Sequence, residues 1–173
     1  MSDHSIFKKK QEEIKRTAPK LDPFEVALWQ EVDIKGYRSQ HNSIQLTVFM
    51  LKNVLANKNT AVAAECLGDI ERVADKMIRR IEGIDLEKIQ SDPKKTVPLE
   101  IVREIVEEVP RFLRKAILRS REAVAQGELS DQTLRELEEG FAAVYALGDK
   151  MKADEGYARY RHFVAADGER MRI

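Results

Sequence analysis

One cysteine, Cys66, is the whole thiol inventory of these 173 residues, so the chain cannot form an internal disulfide. That absence fits a reducing compartment. Net charge is also missing: 30 basic residues balance 30 acidic ones. A neutral chain has no global electrostatic pull toward nucleic acid or an anionic membrane. No apolar run approaches the roughly 18 residues of a membrane-spanning helix. The opening MSDHSIFKKKQEEIKR has no apolar stretch after its charges and does not read as a secretory signal. The expectation is a cytoplasmic protein without membrane insertion or nucleic-acid binding. Glycine and proline are sparse, at 8 and 5, and aromatics make up 6%. None of the glycines forms a phosphate-binding loop. With three histidines and no HxxxH or ExxH, a di-metal carboxylate centre of the usual kind is excluded. No Ser-His-Asp arrangement follows from spacing either.

What is abundant is charge, at 35%, mixed with aliphatic residues, which favours long helices. Residues 1 to 20 are polar and read as a flexible N-terminal arm. Residues 21 to 173 read as a single helical domain. Asp22-Pro23 opens a first helix, with Asp as N-cap and Pro at the first helical position. Ile34, Tyr37, His41, Ile44, Val48, Leu51 and Leu55 follow at 3-4 spacing, an apolar seam. The spacing predicts one helix from Pro23 to about Ala56, bent near Gly36, with Thr60 capping the next. That second helix covers 61 to 83 on Ala63, Cys66, Ile70, Val73, Met77 and Ile81. A crossover, 84 to 97, leads to a third helix from Pro98 to Gln126. Its face is Val102, Ile105, Val109, Phe112 and Ala116, with Pro110 expected to kink it. Gly127 stops it and Ser130 caps a fourth. The fourth carries Leu134, Leu137, Phe141, Val144, Gly148 and Met151 and is expected to continue to Gly168. Two hairpins of this kind make an all-α, antiparallel four-helix bundle.

Few residues can carry chemistry. His41 lies in an apolar seam. Exposed, it would be a phosphoacceptor for histidine phosphotransfer; buried, it would be a seam histidine that sets register. Glu71 and Asp75 are i and i+4, hence on one helix face. They supply oxygen ligands of the kind a divalent or iron ion takes, although such an ion needs more than two. The alternative is a solvated flank paired to nearby arginines. ADKM at 74–77 returns as GDKM at 148–151, which makes Asp149 the counterpart of Asp75. Near the end, Tyr157, Tyr160, Arg161 and Phe163 are candidates for a partner-contact surface, because Tyr and Arg anchor many interfaces. Packing of that segment on its own bundle is the alternative.

DIERVADKMIRRI, with the turn NVLANKNTAVA before it and TVPLEIVREIV after it, resembles PhoU-like proteins, helical bundles that regulate phosphate uptake. The resemblance covers roughly residues 40 to 140. It implies a non-catalytic regulator or adaptor, with Glu71 and Asp75 as the metal-binding motif pair and Asp149 as the remnant of a second. No further cofactor is implied. The other readings are a structural bundle that self-associates, as in a homodimer, or assembles into a larger complex, and the phosphotransfer role of His41.

Overall fold

The computed structural model describes residues 3–170 except 33 and 34, without the side chains of 35–37 and 167–170. The described residues form eight helices and no strand: α1 (Asp3–Thr17), α2 (Pro23–Glu31), α3 (Lys35–Ala56), α4 (Thr60–Glu82), α5 (Leu86–Gln90), α6 (Leu99–Gln126), α7 (Asp131–Lys152) and α8 (Glu155–Arg170). None is long and apolar enough to cross a membrane.

The helix ends follow local chemistry. The Asp22 carboxylate accepts the Glu25 N–H at 2.9 Å, with Pro23 at the first helical position. Asn59, rather than Thr60, caps α4, accepting from the Val62 N–H. Ser130 caps α7 through Thr133. Gly127 ends α6 in the left-handed region, φ 76°, where a side chain would be strained. Pro110 is buried inside α6, and the helix continues through it without a break.

α3 packs on α4, α4 on α6, α6 on α7, and α7 on α3, so these four helices close a ring. Their inner faces are the expected seams. Ile44, Val48, Leu51, Ile70, Met77, Val109, Leu137, Phe141 and Met151 are buried. On α6 the central position is Leu113, while Phe112 sits at the edge of the core. Its ring lies where a Cβ on Gly140 would be, 2.0 Å from the nearest ring atom, and meets Phe141 edge-on at 4.9 Å. Gly140→Ala is therefore expected to push Phe112 off Phe141 and to lower stability by about 1–3 kcal/mol, as overpacking does. A denaturant titration checks this; an unchanged midpoint would show that the ring rotates away freely.

Two expected helices are each divided. The first breaks after Glu31: α2 packs on α8, whereas α3 packs on α4 and α7. Trp29, Leu28 and Val32 are buried, and Trp29 stacks on Tyr160 of α8 at 5.9 Å. Ile34 and Tyr37, the first two seam positions, lie outside the described side chains. The fourth expected helix breaks at residues 153 and 154. The Asp154 carboxylate accepts the Tyr157 N–H at 3.1 Å and starts α8 afresh. Asp154→Ala is expected to cost about 0.5–2 kcal/mol through loss of that cap, seen as faster hydrogen exchange in the first turn of α8. Unchanged exchange there would refute the capping role.

The segment expected as a flexible arm is helical from Asp3 to Thr17, with none of its residues buried. It lies against α8, where His162 Nε2 is 3.2 Å from the Ile14 carbonyl oxygen and 3.1 Å from Thr17 Oγ1. In the crossover, the buried Asp92 carboxylate accepts the N–H groups of Lys94 and Thr96. Burial alone would raise its pKa, but these bonds outweigh it and hold the carboxyl below its ordinary value.

Candidate functional site

The acidic residues of the proposed metal motif lie on two different seams. Glu71 and Asp75 are on the α6 side of α4, where Arg121 Nε donates to Glu71 Oε1 at 2.8 Å. That hydrogen bond, with the charges of Glu71 and Asp75, raises the Arg121 pKa. Asp75 itself is exposed. Asp149 is on α7 and forms an ion pair with Arg38 of α3. Among the described residues, no three histidine, cysteine or acidic side chains gather as a metal-holding group. The three expected ligands are thus not brought together, and arginines hold two of them. The two carboxylates of Glu71 and Asp75, the first already bonded to Arg121, fall short of the ligand set of a hard cation.

His41 is 1% exposed, which corrects its candidacy as a phosphoacceptor, since a partner's phosphoryl group cannot reach it. Its ring meets Phe141 edge-on at 5.1 Å and Tyr145 at 5.7 Å. One turn away, the Arg38 guanidinium lies 4.6 Å from the Tyr145 ring centre, a cation–π contact, while also pairing with Asp149. Burial, followed by repulsion from Arg38, lowers the His41 pKa to about 4, against a smaller raising effect of a hydrogen bond with the Phe141 backbone. At neutral pH the imidazole is uncharged. The α3–α7 contact is therefore fastened by an aromatic and ionic cluster, with the histidine inside and the Arg38–Asp149 pair toward solvent.

The candidate contact surface near the end is largely internal. Tyr157 and Tyr160 are buried against Trp29, at 5.6 and 5.9 Å between ring centres. Arg161 and Phe163 are half-buried. This corrects the exposed reading of the two tyrosines: the alternation of Tyr and Arg reflects a helix packed on one side.

The outer side of α3 is different. Leu46, Phe49 and Met50 are 64%, 51% and 48% exposed. They account for three of the seven large apolar side chains that are exposed among the described residues, within five positions. Asn42 and Asn53 continue this stripe one turn away at each end. From Ser39 to Ala56, Lys52 is the one Lys, Arg, Asp or Glu, the buried His41 being uncharged at neutral pH, and Lys52 is drawn to Asp131 of α7. The stripe is thus uncharged within a chain that is 35% charged. Reading only the 3-4 seam overlooked it. The available signal was apolar residues off the seam in a helix almost without charge.

A groove of about 380 Å³ lies between α6 and α7. Phe112, Val144 and Leu147 line it, with Glu108, Arg111 and Lys115 at its edge. Arg111 is already engaged by Glu107 and Glu108.

Comparison of the chain with protein-family models, with curated proteins and with solved structures gives no match.

Proposed function

We propose that this protein is a non-catalytic helical regulator or adaptor, PhoU-like in type: a four-helix bundle of two hairpins whose docking face is the outer side of α3. The observation that carries the reading is the uncharged stripe of Leu46, Phe49 and Met50. Exposed apolar patches bordered by polar residues mark protein contact sites. The chemistry elsewhere supports the same reading. His41 is enclosed, Glu71 and Asp149 are held by arginines, and no nucleophile stands beside a base in the described surroundings of these groups.

The test places a photo-crosslinking amino acid at Phe49 in cells, with the same residue at exposed Arg159 as control. Peptide mass spectrometry then identifies each adduct. A defined protein adduct at position 49, absent from the control and lost with Leu46→Glu, is expected. No adduct at position 49 above the control would overturn docking through α3.

A further inference from the structure

Resting on that docking reading, we infer that the occupant of the α3 face is a second copy of this chain, packed antiparallel across a twofold axis near Val48. A twofold interface sets each surface against itself, so any charge near the axis meets its own like charge. The α3 stripe meets that condition, because no charged side chain interrupts the run from Asn42 to Met50. The neutral net charge of the chain adds no long-range repulsion between copies.

The stripe also has the order that antiparallel pairing needs. Read outward from Val48 in either direction, it presents an aliphatic side chain and then an amide: Leu46 and Asn42 one way, Met50 and Asn53 the other. Two such helices laid antiparallel bring Leu46 opposite Met50 of the second copy, Phe49 beside its own counterpart, and Asn42 toward Asn53. Apolar groups thus meet apolar groups at the centre, and amides that can both donate and accept meet at the ends. The inward face of the same stretch is already committed, since Ile44, Val48 and Leu51 are buried in the protein's own core. A 22-residue helix is about 33 Å long. The α6–α7 groove is not part of this contact and stays open in the pair.

Sedimentation of the full chain at micromolar concentration tests this. The wild type is expected to sediment at twice the chain mass. Met50→Glu should weaken the dimer on the order of a hundredfold, because it buries an unpaired carboxylate against an apolar surface. Adding Leu46→Lys to Met50→Glu should restore the dimer, since the antiparallel register sets each new lysine against the partner's new glutamate. Position 50 is exposed, so each variant should keep the helical circular dichroism of the wild type, which separates lost pairing from lost folding. Phe49→Cys should give a covalent dimer on oxidation, with buried Cys66 spared. A monomeric wild type, or a Met50→Glu variant that still pairs, would overturn the second copy as occupant. If the wild type is monomeric while position 49 still crosslinks to another protein, the occupant is wrong and docking through α3 stands. Absence of both removes both.

Discussion

Trp29→Ala is expected to lower stability by about 3–5 kcal/mol, the range for truncating a large buried aromatic. Trp29 is 1% exposed and makes two ring contacts, stacking on Tyr160 and tilting against Tyr157. It also approaches Gly156 so closely that a Cβ there would lie 3.1 Å from the indole. The loss should centre on α2 and α8, whose mutual packing the indole mediates. A denaturant titration gives the total loss, and hydrogen exchange gives its location. A loss below about 1 kcal/mol, under that range, would mean that α2 and α8 do not rely on this ring.

The second large effect is a loss of stability on acidification. His41 has an ordinary pKa of 6.5 when unfolded and about 4 in the fold. The unfolded chain therefore takes up the proton first as pH falls, and the folded state resists it. This contribution is fully present above pH 6.5 and is lost as pH falls through 6.5 toward 4. Its size is up to about 3 kcal/mol. Urea unfolding at a series of pH values should show this slope in the wild type. His41→Leu should flatten it in that window. The carboxyls of Asp131, held low mainly by the hydrogen bond from Lys52, and of Asp22, held low mainly by the Glu25 N–H, act in a lower range, as pH falls below 3.8. Equal slopes for the two proteins between pH 6.5 and 4 would show that burial of His41 does not control the acid response.

The seams of α3, α4, α6 and α7 were legible because burial repeats every third and fourth residue, and those periods are written in local sequence. The two helix breaks were not. Apolar spacing runs on past Trp29 and past Met151, so periodicity alone does not mark where α2 and α7 end. Distance along the chain hid the burial of Tyr157 and Tyr160, whose covering residue is Trp29. Glu71 and Asp75 were placed on one helix face by their spacing. Their neighbour Arg121 lies fifty positions on, so spacing could not disclose it. His41 was legible as a seam position, and its enclosure by Phe141 and Tyr145 required α7, a hundred positions on. Leu46, Phe49 and Met50 needed a different question, namely which helix lacks charge on the side that should be wet.

The bond between Thr17 and His162 joins residues 145 positions apart, and Trp29 reaches α8 over a comparable span. Contacts between remote segments form only after the entropy of closing the intervening chain has been overcome. α3 with α4, and α6 with α7, pack as sequence neighbours and do not face that cost. By the same entropy, the docking of the two ends of the chain onto each other is expected to come last in folding.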